Sequence, residues 1–315
     1  MSFLPILQQN DLIVEPGKKM SGFISIPGTP VKMPTTVISS KNPGKKILIT
    51  GGVHGGEYPC IETAIRLART LQAADISGTL VIIHPVNTAA FMARMQYYGP
   101  YDGKNLNRVF PGKATGTVSE RIAYTVHQLQ KAADFYIDLH GGDIHESLTP
   151  FVIYSKVGGP KVAEQSKKAA ASLGFPYVVG STSENGSIGA ASSTGTPGFL
   201  AELGQCGRWS EEEVEAYLRA VKNVLTYLEC LEGTLVEYSG IQFLDQMHVV
   251  KAKQEGCWYP SKKLKEEVQK GEKIGEIRDF FGKQLSSYYA PEAGRLLYLV
   301  TSLAITEGDP LVAIG

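Results

Sequence analysis

The stretch Ile47-Leu48-Ile49-Thr50-Gly51-Gly52-Val53-His54-Gly55-Gly56-Glu57-Tyr58-Pro59-Cys60-Ile61 decides how this chain is read. An apolar run over residues 46–50 fits a buried strand, and the glycines fit a turn. Beyond them Ile61, Ala64, Ile65 and Ala68 recur at helical spacing over residues 58–71. An imidazole and a carboxylate three residues apart, on the turn between a strand and a helix, reach one metal ion from the same side.

Outward from this unit the rhythm continues. Residues 80–85 fit a strand, and Thr117-Val118-Ser119-Glu120 fits a capping box whose helix carries Ile122, Val126 and Leu129 on one face. Strands at 135–139, 151–154 and 177–179 alternate with helices at 160–173 and 211–230. This alternation predicts an α/β fold with a mixed, mostly parallel sheet flanked by helices. Residues 22–27 read as a strand added at a sheet edge. After residue 230 short β-like pieces at 234–238, 247–251, 273–277, 295–303 and 311–314 predict a smaller all-β domain, dividing the chain into 1–230 and 231–315. Residues 180–198, rich in Gly, Ser and Thr, are expected to form a surface loop and a lid.

A third ligand is offered by Asp134-Phe135-Tyr136-Ile137-Asp138-Leu139-His140-Gly141-Gly142, which sets His140 at a strand end, where open α/β sheets bind ligands. Two histidines and one glutamate leave a fourth position for water, the pattern of a catalytic zinc site. Asp138 shares a strand face with His140 and either orients it or serves a structural partner elsewhere. His84, His127, His145 and His248 read as structural, with His145 the reserve ligand. In Gly198-Phe199-Leu200-Ala201-Glu202-Leu203-Gly204 a lone carboxylate interrupts an apolar run. Burying it unpartnered is costly, so Glu202 is expected to face a polar pocket with a raised pKa, which suits a general base.

His54-Gly55-Gly56-Glu57, Asn105-Leu106-Asn107-Arg108, Asp138-Leu139-His140 and Ala201-Glu202-Leu203-Gly204 stand in the order seen in the succinylglutamate desuccinylase/aspartoacylase family, a branch of the zinc carboxypeptidase superfamily. The chain resembles that family over residues 45–230. The resemblance implies one Zn²⁺ per chain on His54, Glu57 and His140, with Glu202 as the catalytic base. It further implies that Asn107 and Arg108 grip the substrate's α-carboxylate, with Asn105 beside them, since a guanidinium fork matches a carboxylate. Arg94 is the candidate for polarising the scissile carbonyl. The implied activity is cleavage of the acyl amide of a small N-acyl amino acid. A metallocarboxypeptidase acting on short peptides is the alternative, and a non-catalytic zinc or ligand-binding protein has no need of Glu202. Gly56 departs from the family, which has Asn or Asp there, and puts local support of the site in question. Residues 231–315 resemble a biotinyl/lipoyl-like hammerhead fold, but their expected hairpin tip, Arg278-Asp279-Phe280-Phe281-Gly282, lacks the modifiable lysine of a carrier. A structural or pocket-shaping cap is therefore expected.

Thirty-one basic residues balance thirty-one acidic ones, so no global field favours nucleic acid or an anionic membrane surface. Four cysteines without C-x-x-C spacing, no signal segment and no apolar run near the roughly 20 residues that span a bilayer lead us to expect a cytoplasmic protein with reduced thiols. The sequence leaves a homo-oligomer open.

Overall fold

The computed structural model describes residues 4–315. Its strands, in chain order, are β1 (Lys18–Ser25), β2 (Lys32–Ser39), β3 (Lys46–Gly51), β4 (Thr79–Ile83), β5 (Phe135–His140), β6 (Glu146–Leu148), β7 (Phe151–Ser155), β8 (Tyr177–Ser181), β9 (Gly198–Glu202) and β10 (Gln242–Leu244). All but β6 join one sheet of order β1-β2-β4-β3-β5-β9-β7-β8-β10. The pairs β3/β4, β3/β5, β5/β9, β7/β8 and β8/β10 are parallel, while β1/β2, β2/β4 and β7/β9 are antiparallel. The sheet is therefore mixed and mostly parallel, with β1 at its edge as expected.

Among the described residues, the α-helices are α1 (Leu4–Gln8), α2 (Tyr58–Thr70), α3 (Thr88–Ala93), α4 (Val118–Ala132), α5 (Pro160–Ala171), α6 (Ser187–Ser193) and α7 (Glu211–Tyr227). The two faces of β3 show why its residues are apolar without alternation. Ile47 and Ile49 pack with Leu67 of α2 and Val221 of α7 on one face, and Leu48 packs with Val126 of α4 and Ala191 of α6 on the other. A strand buried on both sides gains from every side chain, which removes the usual period of two. Glu120 closes the N-terminus of α4 by accepting the Thr117 N–H at 2.8 Å. Among the described residues no helix is long and apolar enough to cross a membrane.

Two expectations change. Residues 180–198 are not a surface loop throughout: residues 182–185 and 193–195 are exposed, but α6 between them is buried over residues 187–192. The small side chains there serve close packing, with Ala190 and Ala191 in the core and the Ser187 carbonyl accepting from Gln130 Nε2 at 3.1 Å. Residues 234–238 form no strand, because Asn223 of α7 takes over the Val236 backbone groups at 2.8 and 2.9 Å. Residues 32–39, given no element from sequence, form β2.

The remaining strands are β11 (His248–Lys251), β12 (Gly256–Pro260), β13 (Glu267–Val268), β14 (Lys273–Arg278), β15 (Gln284–Tyr289), β16 (Gly294–Val300), β17 (Ala304–Ile305) and β18 (Pro310–Ile314). They build two antiparallel sheets, β11-β18-β16-β13 and β15-β14-β12-β17, around Trp258, Ile274, Ile277, Leu296 and Leu311. Strand pairing crosses residue 230 in both directions: β10 extends the large sheet, and β6 pairs with β16. At the β14–β15 hairpin tip Phe280 and Phe281 are almost fully exposed.

Tyr217 of α7 is fully buried and donates to the carbonyls of His140 (3.0 Å) and Ala201 (2.7 Å), tying the ends of β5 and β9 to one helix. We expect Tyr217→Phe to lower unfolding stability by about 1–3 kcal/mol, because both buried carbonyls lose their shared donor. Denaturant unfolding of the two proteins measures this, and an unchanged midpoint would remove the clamp from the account.

Candidate functional site

β3 ends at Gly51, and the chain turns at once. Gly52 has φ +73°, and a Cβ there would lie 2.6 Å from Pro85 Cβ and 2.7 Å from Ile61 Cγ1, so both dihedral and space require glycine. The turn delivers His54 and Glu57 to the C-terminal end of the parallel strands. His140 arrives from β5, whose register places it beside Glu202 of β9. Paired residues of neighbouring strands share a face, so His140 and Glu202 point to the same side.

Glu57 is the hub. Its Oε1 lies 2.7 Å from His54 Nδ1 and its Oε2 lies 3.0 Å from His140 Nδ1. The two imidazoles stand nearly perpendicular, with ring centres 5.0 Å apart. Their outer nitrogens are engaged: His54 Nε2 donates to Asn105 Oδ1 and His140 Nε2 donates to Asp138 Oδ2, each at 3.1 Å. With each Nε2 so engaged, Nδ1 is the nitrogen that faces Glu57 and the one that would bind a metal, as in metal-ligating histidines with supporting acceptors behind them. All three residues are buried, and their donor atoms lie within 4.8 Å of one another. Two nitrogens and a carboxylate oxygen at that spacing fit a zinc-type cation.

A buried polar chain supports the hub. Asp138 Oδ1 accepts from Thr50 Oγ1 at 2.7 Å, Thr50 Oγ1 shares a 2.8 Å bond with Tyr136 OH, and Ser187 Oγ donates to Asp138 Oδ2. Burial pushes the Glu57 carboxyl up, but His140 and His54 outweigh it and hold the group at about 2. For Glu202, burial first and the Glu57 charge second push the carboxyl well above the carboxylate range.

The cavity around these groups measures about 660 Å³. Asn105, Asn107, Arg108 and Glu202 line it together with the His54, Glu57 and His140 cluster. Asn107 and Arg108 sit on a single 3₁₀ turn, Leu106–Arg108. Asn105 Oδ1 also accepts the Asn107 N–H at 2.9 Å, Asn107 Oδ1 accepts the Ser187 N–H at 2.8 Å, and Arg108 Nη1 donates to the Asn107 carbonyl at 3.2 Å. Arg94 is not brought to this place: it is exposed at the C-terminal end of α3, with φ 53°, and lies outside the lining of the cavity. His145 is exposed and likewise lies outside.

Sequence reading missed Tyr97, Glu146 and Tyr298, all of which line the cavity. No local pattern marks them. Glu146 reaches the wall because β6 pairs with β16, and Tyr298 OH donates to its Oε1 at 3.0 Å, a contact between residues far apart in sequence. Burial first pushes the Glu146 carboxyl up to about 7.

The model of the succinylglutamate desuccinylase/aspartoacylase catalytic domain matches residues 43–228. The chain belongs to this family. Its members are deacylases that hydrolyse amide bonds, and this chain is an enzyme of that kind. It is 28% identical over 295 residues to the N-alpha-acetyl-L-2,4-diaminobutyric acid deacetylase of Halomonas elongata, covering 90% of this chain and 86% of that protein. Among solved structures it resembles the product-bound ectoine utilization protein EutE (DoeB) of Ruegeria pomeroyi, with 25% identity and a TM-score of 0.86 over 97% of this chain and 98% of the other. A succinylglutamate desuccinylase from a Silicibacter species aligns with 26% identity and a TM-score of 0.82, covering 97% of each chain.

The departure at Gly56 has a physical reason. A Cβ on Gly56 would lie 2.0 Å from Asp143 Oδ1, so the buried Asp143 carboxylate fills that space; it accepts the Tyr97 N–H at 2.8 Å and the Ile144 N–H at 2.7 Å. We expect Gly56→Ala to destabilise the fold by about 1–3 kcal/mol, the usual range for overpacking. A thermal melt indistinguishable from wild type would show that Asp143 yields freely.

Proposed function

We propose that this enzyme is a zinc-dependent deacylase that releases an amino acid from a small N-acyl amino acid, with one zinc on His54, Glu57 and His140. The observation that carries the reading is the convergence of both Nδ1 atoms on Glu57, their Nε2 atoms engaged outward, inside a cavity that also holds Glu202 and Arg108. Zinc, when bound, supplies Lewis acidity that acidifies water and draws negative charge from a carbonyl oxygen.

The chain's own residues supply the rest. Glu202, beside His140 across the β5/β9 pair, takes a proton from the attacking water at a carboxylate oxygen. As the C–N bond breaks, the same oxygen returns the proton to the amine nitrogen, leaving a carboxylate and an amino acid. Arg108 forms no ion pair with a carboxylate among the described residues, and its exposed guanidinium on the cavity wall suits the substrate's α-carboxylate. Asn107 sets the guanidinium through its carbonyl and offers its amide NH₂ to the same group. Asn105, committed to His54 and to the Asn107 N–H, acts as a positioning residue for the ligand histidine. Residues 231–315 contribute Met247, Val249, Lys251, Tyr298 and Asp309 to the cavity and so work as a pocket-shaping cap. The cysteines, all unpaired, fit a cytoplasmic location.

The name of the Halomonas relative supports an acetyl group as the acyl part. The direct test is a panel of N-acetyl and N-succinyl amino acids and dipeptides offered to the zinc-loaded protein; turnover of dipeptides alone would replace the deacylase reading with a carboxypeptidase. Glu202→Gln is expected to keep its zinc and lose about 10²–10⁴-fold in kcat, the usual contribution of a general base. Activity within a few-fold of wild type would place the base elsewhere. Asp138→Asn is expected to weaken zinc binding by about 10–100-fold, because the His140 support loses its charge. Chelator competition measures this without reference to turnover, and an unchanged affinity would count against His140 as a ligand.

A further inference from the structure

Amide hydrolysis gathers negative charge on the scissile carbonyl oxygen, and the proposed reaction leaves no cationic side chain to meet it. Arg94, expected there, is exposed and lies outside the cavity. Arg108 is the only arginine lining the cavity among the described residues, and it is committed to the α-carboxylate. Lys251, on the C-terminal unit, is exposed to water. A donor must therefore come from the neutral groups of the wall, several of which are already engaged. Tyr298 gives its hydroxyl proton to Glu146 Oε1, and Ser187 gives its own to Asp138 Oδ2. Asn105 meets His54 at Nε2, the nitrogen turned away from Glu57. Tyr98 is exposed.

Tyr97 is placed differently. It is half-buried on the cavity wall, and its ring stands edge-on to His54 with 5.9 Å between the ring centres. The phenol is thus next to the cluster at which a scissile carbonyl would lie. Its hydroxyl has no hydrogen-bond partner among the described residues, whereas its backbone is held firmly, because Asp143 Oδ2 accepts the Tyr97 N–H at 2.8 Å. That carboxylate occupies the space left by the missing side chain of Gly56. The departure at Gly56 and the placement of Tyr97 are therefore parts of one arrangement. A phenol keeps its proton near neutral pH, so a hydroxyl without a partner on this wall is a standing donor.

We propose that Tyr97 is a catalytic residue whose phenol O–H donates a hydrogen bond to the scissile carbonyl oxygen as that oxygen gains negative charge. This rests on the deacylase reading. The oxygen of the attacking water bonds to the carbonyl carbon, the C=O π pair moves onto the carbonyl oxygen, Glu202 takes the water's proton, and Tyr97 keeps its own throughout. When the amine leaves, the pair returns to re-form C=O. A donor that tightens only while the charge is present lowers the barrier without tightening the substrate, so its loss falls on kcat rather than on KM.

The test uses the zinc-loaded full chain and Tyr97→Phe, which removes only the hydroxyl. The substrate is the compound that wild type turns over fastest in the panel, and the probe is its analogue with a tetrahedral, anionic phosphonyl group in place of the scissile carbonyl. Tyr97→Phe is expected to lose about 10²-fold in kcat with KM within a few-fold of wild type. In calorimetric titration the Kd of the phosphonyl analogue is expected to rise by about 10²-fold, while that of the free amino acid product stays within a few-fold. Chelator competition is expected to give an unchanged zinc affinity, which separates a donor to substrate from a support of His54. A kcat near that of wild type, equal weakening of the analogue and the product, or a loss of zinc affinity that accompanies the loss of kcat would overturn the assignment of Tyr97 and leave the deacylase standing. A wild type that cleaves only dipeptides would overturn the deacylase reading, and Tyr97 would stand if the same losses appeared with the dipeptide and its phosphonyl analogue. A protein that cleaves neither class would overturn both.

Discussion

One carboxylate between two imidazoles organises this molecule. Glu57 is almost wholly buried, and a charge so placed is tolerated only where its oxygens are matched on every side. The matching groups come from two separate segments: the turn after β3, which carries His54, and the end of β5, where His140 is followed by Gly141, whose N–H approaches Glu57 Oε2 at 3.3 Å. The parallel register of β3, β5 and β9 brings these segments to one edge of the sheet, and much of the nearby sequence follows from keeping that edge in place.

The second tier of the site is as demanding as the first. Asp138 is fully buried with contacts from Thr50, Ser187 and His140, and Tyr136 stands behind Thr50. Leaving any of these groups unmatched would cost about 1–3 kcal/mol. Ser187 links this network to the substrate side, because its N–H donates to Asn107 and its hydroxyl to Asp138. Helix α6 therefore connects Asp138 behind His140 to the 3₁₀ turn that carries Asn107 and Arg108, a role foreign to the pliant loop expected over residues 180–198.

What was legible in the sequence followed from local chemistry. His54, Glu57 and His140 announce themselves because polar ligands at the ends of apolar strands have few other reasons to be there, and Glu202 does so by interrupting such a strand. The parallel sheet was legible through Ile47, Leu48 and Ile49, whose continuous apolar character needs two covered faces. The illegible parts depend on distant pairing. The strand β2, which carries Pro34, was not assigned from sequence and is held between β1 and β4. Small residues in α6 read as flexibility because composition alone does not separate close packing from looseness. Glu146 stood unmarked because its meaning comes from Tyr298, and Arg94 was singled out by family order although the chain turns it to solvent.

The topology of the C-terminal sheet bears on how the enzyme comes into being on the ribosome. β18 lies between β11 and β16, so a strand made late in synthesis is a central one in its sheet, and Pro310 and Ala313 on it line the cavity. The residues that gather around Glu57 have all emerged well before then. A nascent chain thus carries the residues of the Glu57 cluster before it carries the β18 wall of the cavity.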